Sequence, residues 1–115
     1  MTVIDEIADE RRRQVEAEGW TPEHDDKHSD RSLSMAAALY AAPEPLYQLE
    51  RVADGDFLFR DPWPWFERVP GARGGWLPTR AWDKRGKHDR RRRLVIAAAL
   101  IVAEIERLDR AAGNP

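Results

Sequence analysis

Residues 94–108 carry an apolar residue at nearly every turn of a helix and on more than one side of it. Leu94, Ala98, Ile101, Ile105 and Leu108 fall on one seam, while Ile96, Leu100 and Val102 fall on others. A helix with so wide an apolar surface is stable only when other elements cover most of it. The rest of the fold must therefore be arranged around this segment. Asp89 precedes it as an N-cap, which predicts a helix over 90–110. At 115 residues the chain can build one core and not two, so residues 1–115 are expected to form a single domain. So broad an apolar helix in so small a chain also predicts a dimer or larger homo-oligomer that completes the core.

Two further helices are legible. Ile4, Ile7, Ala8 and Val15 share one side at helical spacing behind Thr2, predicting a helix over 2–18 that Gly19 ends. Trp20-Thr21-Pro22 then reads as a turn, and His24-Asp25-Asp26-Lys27-His28-Ser29-Asp30 as a capping segment. Leu33, Ala36, Ala37, Leu39 and Tyr40 predict a helix over 31–42 that Pro43 and Pro45 close, with a short helix expected near 44–53. Residues 54–88 show neither helical nor strand period and are rich in Gly, Pro and aromatics. Trp63, Trp65, Trp76 and Trp82 would be costly to leave in water, so an ordered irregular loop is expected there. The expected fold class is all-α.

The net charge of −2 divides unevenly, at −8 over residues 1–59 and +7 over residues 60–93. A basic block in an acidic chain suits a local anion site, or two complementary surfaces. It does not suit duplex nucleic acid, which the acidic half would repel. The chain has no cysteine, so neither a disulfide nor a thiolate nucleophile is available. No apolar run approaches the roughly 18 residues that span a bilayer. Met1-Thr2-Val3-Ile4-Asp5-Glu6 also lacks the basic and apolar regions of a signal peptide, so a cytoplasmic protein is expected.

Several constellations bear on chemistry. Trp63, Trp65, Trp76 and Trp82 are interleaved with Arg60, Arg68, Arg73, Arg80, Lys84 and Arg85. Indoles stack on bases and arginines grip phosphates, which suits a nucleotide, although tryptophan also serves as core filler. The run Arg90 to Arg93 opens a helix against its macrodipole and so asks for an acidic partner or ligand. Glu10, Arg11 and Gln14 lie on one stretch of the first helix, where they either support its surface or place Arg11 or Gln14 toward a pocket. His24, Asp25, Asp26 and His28 bring imidazoles and carboxylates within five residues, as a metal site would, but capping and internal hydrogen bonding are the preferred account of them. A Ser-His-Asp triad from Ser32 or Ser34 lacks a nucleophile elbow, and Gly71 to Gly75 lacks the Lys-Ser/Thr of a phosphate loop.

Ile7-Ala8-Asp9-Glu10-Arg11-Arg12-Arg13-Gln14 is similar to the I-x-x-E-R-x-R-Q opening of phage MazG-like proteins. Ala97-Ala98-Ala99 through Glu106-Arg107-Leu108-Asp109-Arg110 is similar to their closing helix, and Trp20 with His24 or His28 sits where the family tends to place a Trp and a His. The resemblance implies an all-helical, oligomeric nucleotide-hydrolase fold. It also implies magnesium held by an E-E-x-x-E helix and a later E-x-x-D or E-x-x-Q pair, and here the sequence departs. Ala36, Ala37 and Tyr40 stand where the first acidic set would lie, and Arg93 and Ile96 where the later pair would. The expected function is therefore non-catalytic binding of a nucleotide or nucleotide-derived signal, a phage anti-defence sponge in a host cytoplasm, with no cofactor and no metal. Its expected ligand-binding residues are Arg11, Gln14, Trp63, Trp65, Arg73, Trp76, Arg80, Trp82 and Arg93. The alternatives are a metal-dependent nucleotide hydrolase using His24, Asp25, Asp26 and His28, and an inhibitor that docks on a host protein.

Overall fold

Thr2 starts helix α1 (Val3–Ala17) with a reciprocal cap. Its Oγ1 accepts the Asp5 amide at 3.1 Å while its own amide donates to the Asp5 carboxylate at 2.9 Å. Gly19, at φ +73°, reverses the chain after α1, and the Trp20 amide turns back to the Gln14 carbonyl at 3.0 Å. The computed structural model describes residues 1–28, 31–68, 76–78 and 83–113. After Gly19, Thr21 caps a single helical turn, α2 (Pro22–Asp25). The sequence reading placed only a turn here; Pro22 instead begins a helix, because the first helical position needs no amide donor. Helix α3 (Ser32–Ala41) follows and stops before Pro43, and α4 (Arg90–Ala111) closes the chain, capped where Asp89 accepts the Arg92 amide at 2.8 Å.

The middle of the chain departs from the expected irregular loop. Strands β1 (Gln48–Arg51) and β2 (Phe57–Arg60) form one antiparallel hairpin, in the register Gln48↔Arg60 to Arg51↔Phe57. Strands β3 (Phe66–Arg68) and β4 (Trp76–Pro78) form another. The first hairpin also replaces the short helix expected near 44–53. Its turn is signalled by Asp54-Gly55, where Gly55 at φ +83° takes the left-handed conformation that such turns require. A 3₁₀ turn at Arg85–Lys87 leads into α4. The protein is thus mostly helical, with two small hairpins.

The core lies between α3 and α4 and is closed by tryptophans. Leu33, Ala36, Ala37 and Tyr40 of α3 meet Ile96, Ala97, Leu100 and Ala103 of α4, all buried. The alanines let the two helices approach closely, and Trp20, Trp63 and Trp65 cover the end of the seam. Full burial of Leu100 alone contributes about 1.5–3 kcal/mol. Helix α1 packs on another side of α4. Among the described residues no helix is long and apolar enough to cross a membrane.

Arg31, at the start of α3, holds φ at 69°, a left-handed conformation that costs a side-chain-bearing residue about 1–2 kcal/mol. Its side chain makes no cap hydrogen bond in return. Arg31→Gly is therefore expected to stabilise the fold by about 1 kcal/mol, once the greater unfolded-state freedom of glycine is set against the relieved strain. A midpoint in urea that is unchanged or lower than that of the parent would refute this account of the turn.

Candidate functional site

The inner face of α1 is polar. Its buried residues are Glu10, Arg11 and Gln14, whereas Ile4 is 73% exposed. The side that carries Ile4 and Ala8 is thus turned away from the core, while Ile7 and Val15 are half-buried. Burying charge demands close partners, and each charged residue has them. Arg11 donates from Nη2 to Asp25 at 2.6 Å and from Nη1 to the Trp20 carbonyl at 3.2 Å, and Glu106 lies 3.8 Å from its Nε. Asp25 is fully buried at the end of α2. Glu10 accepts from Arg13 at 2.5 Å and from Arg92 of α4 at 2.8 Å. Surface pairs at i,i+4 therefore do not explain Glu10, Arg11 and Gln14. Glu10 ties α1 to α4 and Arg11 ties it to α2.

Next to this layer lies an aromatic stack. Trp20 lies parallel to His24 with ring centres 6.1 Å apart, and Trp65 meets Trp20, His28 and Trp63 edge-on at 5.3–5.6 Å. The Nε2 atoms of His24 and His28 face each other at 3.5 Å, and His24 Nδ1 lies 3.6 Å from the Asp25 carboxylate. His24 and His28 thus brace Trp20 and Trp65, Asp25 holds Arg11, and the side-chain cap of α2 comes from Thr21. Among the described residues no group of three or more His, Asp or Glu is arranged to hold a metal ion. The metal alternative on His24, Asp25, Asp26 and His28 would need a ligand from elsewhere, and Asp30 lies outside the described residues.

At the other end of the core, Tyr40 accepts the Lys84 amide at 2.8 Å, and Lys84 Nζ pairs with Glu18 at 2.5 Å. Burial pushes the Tyr40 phenol up to about 12, more than the hydrogen bond from Lys84 lowers it. Burial also works to raise Glu18, but hydrogen bonds from Lys84 and Arg13 outweigh it and hold this carboxyl below its ordinary range.

The arginine run at the start of α4 is resolved residue by residue. Arg90 donates to the Ala41 carbonyl at 2.5 Å, Arg91 forks onto Glu6 at 2.8 and 2.9 Å, and Arg92 reaches Glu10. The Arg93 side chain has no hydrogen bond or ion pair among the described residues, although its Nε is buried. It lines a cleft of about 340 Å³ between the end of α3 and the 3₁₀ turn. Leu39, Pro43 and Pro45 give this cleft an apolar wall, with Asp61 and Arg85 opposite. Arg85 is held by Asp83 at 2.7 Å and Asp61 at 2.8 Å, and its guanidinium lies 5.0 Å above Trp63.

Of the residues expected to bind ligand, the structure brings Arg11 and Gln14 into the buried polar layer and Trp63 and Trp65 into the core, 1% and 6% exposed. A base cannot stack on either indole without displacing core neighbours. Arg93 lines the cleft beside the end of α3, Trp63 borders a second hollow beside the first hairpin, and Arg11 borders a third between α1 and α4. Arg73, Arg80, Trp82 and the side chain of Trp76 lie outside the described residues. Sequence reasoning did not single out Asp61 or Pro43 as cleft residues, since neither carries a periodic or motif signal. No protein-family model, no curated protein and no solved structure matches the chain.

Two outcomes follow from the pairings. Asp25→Ala takes from Arg11 its close buried partner, leaving the Trp20 carbonyl and the half-exposed Glu106 at 3.8 Å, and is expected to cost about 3 kcal/mol, whereas the exposed Asp9→Ala should cost under about 1 kcal/mol, as urea melts would show. Tyr40 titrates more readily unfolded, near 10, than folded, so its contribution is complete below pH 10 and is lost as pH rises toward 12. An alkaline melt should show this step, and Tyr40→Phe should remove it; a step that persists in Tyr40→Phe belongs to another group.

Proposed function

We propose that the chain binds a phosphate-bearing small molecule of the nucleotide class and does not turn it over. The observation that carries this reading is Arg93, which lines the cleft with its guanidinium uncommitted among the described residues while its three neighbours are each engaged. A half-buried arginine without a carboxylate is poised for an oxyanion, which it can grip with two parallel donors. Leu39, Pro43 and Pro45 offer an apolar wall for a base, and Asp61 and Glu44 offer acceptors to ribose hydroxyls or amino groups. The volume of about 340 Å³ suits a mononucleotide-sized fragment.

The non-catalytic part of the proposal rests on what occupies the seam of α3 and α4. Ala36, Ala37, Tyr40 and Ile96, which stand where MazG-like enzymes carry magnesium ligands, are packed against one another in the core. A MazG-like ancestor that exchanged its carboxylates for alanines would keep a nucleotide-sized cleft and lose its metal cage. In a phage setting such a protein would act as a sink for a host signalling nucleotide. A docking role on a host protein is supported by a different observation, the exposure of Tyr47, Leu49, Phe57 and Phe59 on the first hairpin.

A thermal-shift panel of mononucleotides, cyclic dinucleotides and ADP-ribose derivatives tests the proposal. At a hundredfold excess over Kd a ligand of the native state adds about 2.7 kcal/mol, which moves the midpoint of a domain this size by several degrees or more. Arg93→Gln should keep the fold, because the Arg93 side chain has no protein partner to lose, and should abolish the shift. A panel without any shift, or a shift unchanged in Arg93→Gln, excludes binding in this cleft.

A further inference from the structure

The Arg93 cleft holds a second uncommitted charge. Glu44 lines it together with Arg93, and the Glu44 carboxylate makes no hydrogen bond or ion pair among the described residues. Opposite charges in one cleft attract, yet these two do not pair with each other. Both stand on stiff backbone. Glu44 lies between Pro43 and Pro45, whose rings fix φ at about −65°, and the proline that follows it keeps Glu44 itself out of the helical region. Ala42, before Pro43, is extended for the same reason, at φ −61° and ψ 133°. Arg93 stands in the first turn of α4, its amide bonded to the Asp89 carbonyl at 3.0 Å. Asp61, the other carboxylate of the cleft, is taken by Arg85 at 2.8 Å and by the Trp63 amide at 3.1 Å. One carboxylate and one guanidinium are thus presented to the same space, and the fold uses neither.

A ligand that satisfies both carries an anion at one end and donors at the other, with an apolar body to lie along Leu39, Pro43 and Pro45. Among the common bases only guanine offers two adjacent donors, N1–H and the 2-amino group, spaced to meet both oxygens of one carboxylate. Adenine and cytosine set a ring acceptor beside their amino group, and uracil and thymine flank N3–H with carbonyls, so each turns a lone pair toward the carboxylate. We infer that the cleft selects guanine nucleotides, with Glu44 accepting from N1–H and the 2-amino group and Arg93 donating to the phosphate. Glu44 stands at the exposed rim of the cleft, so its selectivity is about tenfold rather than the far larger ratio of a sealed site.

This inference rests on the nucleotide reading of the cleft and adds the base that it selects. Calorimetric titration of the chain with GMP, IMP, AMP and free arginine separates the two. GMP should bind about tenfold more tightly than AMP, with IMP between them, because it keeps N1–H and lacks the 2-amino group. Glu44→Gln exchanges two acceptors for one acceptor and one donor, the pattern that adenine's edge matches. AMP should then bind at least as tightly as GMP, while the unliganded melting midpoint stays that of the parent, since the Glu44 side chain has no protein partner to lose. No nucleotide binding, or binding unchanged in Arg93→Gln, overturns the nucleotide reading of the cleft and this inference with it. Binding that Arg93→Gln abolishes but that is equal for GMP and AMP overturns the guanine assignment alone, as does a GMP preference that Glu44→Gln leaves intact. Free arginine, which carries a guanidinium and a carboxylate, overturns it too if it binds as tightly as GMP, because the cleft would then read charge and not the base.

Discussion

The contact on which the rest depends is the one between Arg11 and Asp25. Asp25 is fully buried, and a carboxylate without water costs several kcal/mol unless donors replace its shell. Arg11 supplies one at 2.6 Å and fixes the Trp20 carbonyl with its other nitrogen. One side chain thus ties α1 to the turn that carries Trp20 and to the end of α2. Glu10 makes the matching tie to α4 through Arg92, and Glu6 extends it through Arg91. A helix held by charges is held in one register, since sliding by a residue would strand each of them in a poor dielectric.

That attachment decides where apolar surface ends up. Because Glu10, Arg11 and Gln14 take the inner face of α1, Ile4 and Ala8 are turned outward, next to the uncovered seam of α4. The core between α3 and α4 is narrow, built largely of alanines and roofed by Trp20, Trp63 and Trp65. It needs only one side of α4, so the other side stays free for α1 and for solvent. The polar joint and the exposed apolar residues are two results of one choice of face.

Much of this was legible in the residues. Thr2, Asp89, Gly19 and Pro43 mark helix ends through local chemistry, and the structure places them there. The direction of α1 was not legible, because period gives the axis of an amphipathic helix and leaves open which side the protein buries. The pattern of Glu10, Arg11 and Gln14 looks like surface support until Asp25 and Arg92 are seen to meet it from other elements. The first hairpin was announced by Asp54-Gly55 between two short runs, a signal outweighed by the prolines and tryptophans that follow. Tryptophan itself is ambiguous in sequence: the same indole can face a base or fill a core, and only its neighbours decide.

The arginine run shows how function can be separated from architecture at single positions. Four cations in the first turn of α4 oppose its macrodipole, so the fold must offset each one. Arg90 reaches the last carbonyls of α3, the negative end of another helix dipole, while Arg91 and Arg92 reach carboxylates of α1. These three would be needed whether or not the protein bound anything. Arg93 is not accounted for in that way, since it lies in the same unfavourable field with an acidic residue of the cleft, Asp61, already claimed by Arg85. A buried guanidinium nitrogen left without an acceptor lowers stability, and natural folds keep few such groups. An oxyanion in the cleft would supply both the missing acceptor and the missing charge, which makes Arg93 the position where the needs of the fold end and those of a ligand begin.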